Sequence, residues 1–259
     1  MKTIKYLFIL VSVFIFTEIQ AQNLTKTDTS RVNLFEVETG AFATINMEFK
    51  GFNQENATEN WKAYAPTLRL EYWNKREQAW NYGLSIQPIY FKYDDLIKHD
   101  LNYDGKVFHQ GENATLTYQF HNITTTANYA LIGKTENNYF RLGGTLIFRY
   151  ADFRFIAQTS SFHSRNFIVF PLINTEFKVR IKDNLFFFSR ADFLPSPTKR
   201  VFSDGLFNVL FSVRNEFANK KSLDIGTRLF FGGDDEQQPD DYANRIFFFG
   251  LVAKYTFGI

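Results

Sequence analysis

Residues 245–259 read RIFFFGLVAKYTFGI. Phe247, Phe249, Leu251, Ala253, Tyr255, Phe257 and Ile259 occupy alternate positions, and an extended chain puts such a set on one side. A side that apolar must be covered by a protein core or by lipid. Residues 35–49 repeat the pattern with a sharper contrast. Phe35, Val37, Thr39, Ala41, Ala43, Ile45, Met47 and Phe49 share one face, while Glu36, Glu38 and Glu48 lie on the other.

Working outward from these two stretches, the same period of two recurs at about 61–73, 80–93, 113–132, 139–151, 165–181, 185–194, 205–217 and 222–232. That makes ten strands, with no long stretch of helical periodicity and no sequence repeat. The connections alternate in length. The first, third, fifth, seventh and ninth are long, among them DDLIKHDLNYDGKVFHQGE, a stretch around DFRFIAQTSSFHS, and GDDEQQPDDYAN. The even ones are short: NKREQA, KTENN, KDN and NKK. An even number of strands with tight turns at one end and longer loops at the other is the organisation of a membrane barrel. The sequence therefore predicts an all-β, antiparallel, up-and-down transmembrane β-barrel of about 10 strands, with 8–12 compatible with the pattern.

Alternation alone does not say which face is dry, so a soluble sandwich or lipocalin-like barrel with its apolar side inward is the alternative. Three features favour lipid. Several strands run to a dozen residues or more, beyond the 9–11 that a tilted crossing requires. Aromatic residues, 19% of the chain, crowd the strand ends; Trp73 and Trp80 flank NKREQA, and Tyr139 and Phe140 follow KTENN, as in an interfacial girdle. Finally, a last strand ending in alternating aromatics needs no polar cover if it faces lipid and closes on the first strand. On Tyr255-Thr256-Phe257 and the Ala21-Gln22 junction, residues 33–259 resemble bacterial (Bacteroidetes-type) outer-membrane β-barrel proteins. Ile259 stands where that family usually has Phe or Trp. The resemblance implies an outer-membrane location among lipid and lipopolysaccharide, with the C-terminal strand read by the barrel assembly machinery.

The N-terminus agrees with export. Lys2 and Lys5 precede an apolar run from Tyr6 to Phe16, and Ile19-Gln20-Ala21 ends it as a cleavage site. Residues 1–21 are read as a signal peptide and 22–32 as a mobile periplasmic leader. Without cysteine there is no disulfide and no lipid-modified cysteine anchor. Loss of Lys2, Lys5 and Glu18 leaves 27 basic and 26 acidic residues, a balance that argues against nucleic acid as a partner.

The polar face assigns a set of side chains to the lumen. They are Glu36, Glu38, Glu48, Arg69, Glu71, Arg141, Arg149, Glu176, Lys178, Arg180, Arg190, Asp192, Arg214, Glu216, Asp224, Arg228 and Lys254, with Gln87 and Gln119 among them. Eight acids face nine bases. Ten strands lie near the narrow end of barrel sizes, where side chains fill the interior. Opposite charges should therefore pair across it and plug it, with Glu176, Asp192 and Glu216 as candidate partners of Arg190 and Arg214. A narrow porin-like channel lined by the same charges is the alternative.

A barrel-borne hydrolase acting on lipid or peptide is the second alternative. His99 and His109 lie near Asp94, Asp95, Asp100 and Asp104 in the second outer loop, a pairing able to activate water. His163 has Ser160, Ser161 and Ser164 nearby, the ingredients of a Ser–His pair. His121 precedes Asn122, a residue expected to mark a bulge. None sits in a recognisable catalytic motif, so no catalytic residue is assigned. Asp234, Asp235, Glu236, Asp240 and Asp241 offer oxygen ligands for weak divalent cations at the acidic outer loop but lack the spacing of a calcium loop. No cofactor-binding or dedicated metal motif is present. The reading is a cell-envelope barrel with a charge-plugged lumen and a structural or surface-interaction role.

Overall fold

The computed structural model describes residues 32–50, 58–60, 63–75, 80–103, 105–132, 137–194, 206–235 and 243–258, leaving aside the side chains of 45–50, 58–60, 103, 233–235 and 243–245. The expected signal peptide and residues 22–31 of the leader lie outside these; Val32 already belongs to the first strand. Ten long strands form the wall: β1 (Val32–Lys50), β2 (Tyr64–Lys75), β3 (Trp80–Leu96), β4 (Asn113–Ile132), β5 (Tyr139–Ile156), β6 (Ser161–Lys182), β7 (Leu185–Leu194), β8 (Leu206–Phe217), β9 (Lys221–Asp235) and β10 (Ala243–Gly258). Each pairs antiparallel with its sequence neighbours, and β10 pairs with β1 from Leu34↔Gly258 to Lys50↔Ala243. That last pairing closes the sheet, so its first and last strands are paired on both sides.

Strand β2 shows how sequence sets the two faces. Tyr64, Pro66, Leu68, Leu70 and Tyr72 are exposed, and Ala65, Thr67, Arg69, Glu71 and Trp73 are buried. Leu251 on β10 and Ile225 on β9 are about two-thirds exposed, whereas Lys254 and Glu36 are fully buried. A water-soluble barrel would have these faces reversed. On β5 the outward side runs Phe140, Leu142, Gly144, Leu146, Phe148 and Tyr150 before Asp152 and Arg154 take over. Ten residues at about 3.3 Å each, on a strand tilted by roughly 40°, give an apolar band about 25 Å tall. This matches a hydrocarbon layer, and the chain is a transmembrane β-barrel.

The girdle differs in part from expectation. Trp80 and Phe140 lie on the outward side, but Trp73 and Tyr139 point inward, because each sits an odd number of residues from its outward neighbour. Trp73 lies over Gly83 on β3, where a Cβ would come within 2.8 Å of its ring. Outside, Trp80 packs on Tyr129 at the tight-turn end, and His121 stacks on Tyr150 at the other edge of the band.

The connections also depart from the simple long–short rule. β5 and β6 both rise above the band, so only Ala157–Ser160 joins them, and the expected long fifth loop is a tall hairpin. Phe153, Phe155 and Phe162 continue the inward alternation there and give the extension its own packing. The second outer connection contains a short hairpin, Leu101–Tyr103 with Lys106–Phe108, whose buried Phe108 packs on Phe155 at 4.5 Å. Glu112 ties that connection to the β5–β6 turn by accepting from the Thr159 hydroxyl (2.6 Å) and amide (3.2 Å). At the tight-turn end, Phe217 pairs with Lys221 across a three-residue turn in which Asn219 and Lys220 both adopt positive φ.

Candidate functional site in the barrel lumen

The half of the lumen nearer the tight turns is a lattice of ion pairs. Arg190 on β7 reaches across the barrel to Glu71 on β2 (2.7 Å), approaches Glu36 on β1 (3.5 Å), and donates through Nε to Glu176 on β6 (2.9 Å). Glu176 also accepts from Arg141 (3.1 Å), the Tyr139 hydroxyl (2.8 Å) and Lys75 (3.4 Å). Glu71 accepts from Arg69 (2.7 Å) and the Trp73 indole (3.0 Å). Lys254 bridges Glu36 and Asp224, at 3.1 Å each, and Arg214 clamps Asp224 with two hydrogen bonds of 2.7 and 2.9 Å. Arg228 holds Glu38 the same way and adds Asn208 (2.7 Å). Pairing on this scale offsets the cost of taking so many charges out of water.

Not every charge assigned to the lumen joins the lattice. Asp192 accepts from Thr145 and Asn174 (both 2.7 Å), with no cation at ion-pair distance among the described residues. Lys178 pairs with Glu216 near the tight-turn rim, where Glu216 is one-third exposed. Arg180 is exposed, because it lies at the end of β6 beyond the crowded interior. The Glu48 side chain lies outside the described residues. Gln119 belongs to the outward face of β4, since its neighbour Phe120 is the one that points in. Asp224, which directly faces Arg214 across β8 and β9, is the partner of that arginine, in place of Glu176, Asp192 or Glu216.

The other half of the lumen is aromatic, which polarity-based reading passed over. Phe91 stacks on Phe248 at 4.4 Å, Phe120 on Phe230 at 5.7 Å, and Phe42 on Phe248 at 6.0 Å. Phe42, Phe230 and Phe248 share strand parity with Glu38, Arg228 and Lys254, and that parity was the signal available. Between the two halves lies a layer of small polar groups, in which Thr126 bonds to Thr145 (2.8 Å) and Asn128 to Asn174 (2.9 Å).

The candidate hydrolytic groups do not assemble. His163 Nε2 lies 3.2 Å from both Asp152 oxygens on the outer face, beside Arg154 (2.9 Å) and Arg165 (2.8 Å). No hydrogen bond joins it to Ser160, Ser161 or Ser164; the Ser160 hydroxyl donates to the Val107 carbonyl. His109 lies 3.7 Å from Asp100 with both side chains open to solvent, and His99 lies exposed in the same connection. Asp94 accepts from the Thr115 hydroxyl and Asp95 from Tyr93, while Asp104 lies outside the described residues. His121 faces outward, and Asn122 lies inward accepting from Arg149; the irregularity in β4 falls at Ala130–Ile132 instead. Among the described residues no group of three His, Asp or Glu is placed to hold a metal. The side chains of the acidic stretch 234–241 lie outside them.

No protein-family model and no curated protein matches the chain. Solved structures similar to it include Ail, the attachment invasion locus protein of Yersinia pestis, at 10% identity over 87% of this chain and 99% of that one, with a TM-score of 0.39. The transport unit of the autotransporter AIDA-I from Escherichia coli is 6% identical over 92% of each chain, with a TM-score of 0.48. The translocator domain of the autotransporter NalP from Neisseria meningitidis is 12% identical over 93% of this chain and 96% of that one, with a TM-score of 0.41. In its closed, up-and-down antiparallel architecture the chain resembles bacterial outer-membrane β-barrel proteins.

Proposed function

We propose that this protein is an exported outer-membrane barrel whose lumen is plugged, serving a structural or surface-interaction role without carrying solute. The observation that carries the reading is the reach of Arg190 to carboxylates on three other strands, β1, β2 and β6. An ion crossing the lumen would have to separate those pairs and then pass the stacked Phe42, Phe91, Phe120, Phe230 and Phe248. The residues outside the barrel fit the same role. Arg154, Arg165 and His163 gather around Asp152 just above the apolar band, where lipopolysaccharide phosphates would lie and guanidinium groups would bind them. Residues 1–21 serve as the export signal, and the alternating aromatics of β10 serve recognition by the assembly machinery. Loops at the outer end carry any surface interaction, with the acidic stretch 234–241 as a weak divalent-cation site.

The test is single-channel recording of the folded barrel in planar bilayers. The plugged reading expects no resolved conductance steps in molar salt. Regular open-channel steps with cation or anion selectivity would replace it with the porin-like reading.

A further inference from the structure

Arg149 on β5 departs from the pattern of the lumen. Each of the other buried lysines and arginines described there lies within ion-pair distance of a carboxylate, and among the described residues Arg149 has no carboxylate at that distance. It is only 8% exposed. Its Nε donates to Asn122 Oδ1 at 2.9 Å, while its buried Nη2 has no hydrogen-bond partner among the described residues. The rings of Phe120, Phe170 and Phe230 surround the guanidinium at 5.3, 5.6 and 5.3 Å.

This cation lines a cavity of about 280 Å³ in the aromatic half of the barrel, together with Phe120, Phe153, Phe170, Phe230 and Asn166. Asn166 is also exposed, so the cavity communicates with the surface. It lies beside the part of β6 from Ser161 to Leu172, which continues past the last β7 pairing at Ile173.

We infer that this cavity binds a small organic anion, a monocarboxylate with an apolar body. A buried guanidinium with a free N–H and no counter-ion is costly, and a carboxylate satisfies it with paired, charge-assisted hydrogen bonds. The aromatic walls select the rest of the ligand, since ligand cavities of this kind take an apolar body oriented by a few polar groups. An inorganic anion would leave those walls unfilled, and a neutral hydrocarbon would leave the guanidinium unsatisfied. Size bounds the ligand as well. A cavity of about 150 Å³ admits benzene, so this one admits roughly ten or eleven non-hydrogen atoms. Octanoate and 3-phenylpropanoate have that size and charge.

The experiment is calorimetric titration of the folded barrel in non-ionic detergent with octanoate, 3-phenylpropanoate and the neutral 3-phenylpropanol. Saturable binding of a carboxylate is expected, with the alcohol at least tenfold weaker. Arg149→Gln should weaken the carboxylate at least tenfold, and Lys182→Gln, exposed at the tight-turn end of β6, should leave it unchanged. Ala151 also lines the cavity, and Ala151→Leu keeps the guanidinium but fills part of the space, so it should likewise weaken binding at least tenfold; it serves as the test if Arg149→Gln does not fold. Absence of saturable binding to the wild type would overturn the inference. Binding undiminished in the folded variants, or an alcohol as tight as the acid, would do the same.

Discussion

Arg228 and Arg214 make the same two-pronged contact with a carboxylate, yet their removal should have different consequences. Glu38 has Arg228 as its ion-pair partner among the described residues, so Arg228→Ala leaves a buried, uncompensated carboxylate and should cost about 3–5 kcal/mol. Asp224 keeps Lys254 at 3.1 Å when Arg214 is lost, so Arg214→Ala should cost distinctly less. Exposed Lys182→Ala should change stability by no more than about 1 kcal/mol. Denaturant unfolding in detergent ranks the three, and equal small losses would mean that water reaches the lattice. Outside the membrane, the hydrogen bond from the Thr159 hydroxyl holds the Glu112 carboxyl below the usual carboxylate range. Because the folded value is lowered, the latch is complete above the ordinary range and is lost as pH falls through that lowered value. An NMR titration of the Thr159 amide should show its midpoint below that of a free glutamate.

Each strand carries two environments on alternate residues, so a mutation's effect depends on parity and depth. Leu251, at the middle of the outward row of β10, should lose roughly 2–4 kcal/mol on change to Arg, while Phe257 at the end of that row should lose about 0–1. Unfolding in lipid vesicles measures both, and equal penalties would misplace the band. Glycines divide similarly. At Gly83 a Cβ would meet the Trp73 ring at 2.8 Å, and that ring is held through its indole N–H to Glu71. Gly83→Ala should cost about 1–3 kcal/mol. At Gly144 the nearest atom to a Cβ is 3.7 Å away, and Gly144→Ala should fall within about 0.5 kcal/mol.

The whole barrel combines two fillings whose failures should be separable. Ion pairs occupy the tight-turn half and stacked phenylalanines the other, with a polar layer between. The double change Phe91→Ala and Phe248→Ala should destabilise the aromatic half while leaving the bilayer conductance of the barrel at baseline, because the Arg190 pairs still cross the lumen. A current through that variant would place the seal in the aromatic layer alone. Arg149 sits in the aromatic half without a carboxylate partner among the described residues, so charge pairing does not account for every cation described inside.

Strand existence, parity and face were legible in residues 35–49 and 245–259, because lipid on one side and a packed lumen on the other impose a two-residue period that any local window displays. The closing of β10 on β1 was expected because a lipid-facing last strand needs a partner for its backbone, and an even strand count makes that pairing antiparallel. The tall β5–β6 hairpin was less legible, since Asp152, Arg154, His163 and Arg165 break the outward apolar run and look like loop, while the inward phenylalanines keep the strands going. The inward turn of Trp73 and Tyr139 was there in the parity, but their girdle-like position at strand ends masked it. Only the tertiary structure decided who pairs with whom inside. Arg190 and Glu71 are 119 residues apart, and the curvature and stagger of the closed sheet bring them together. The same geometry separates Arg149 from every carboxylate among the described residues, for charge composition sets how many partners exist and the barrel's shape sets which of them can meet.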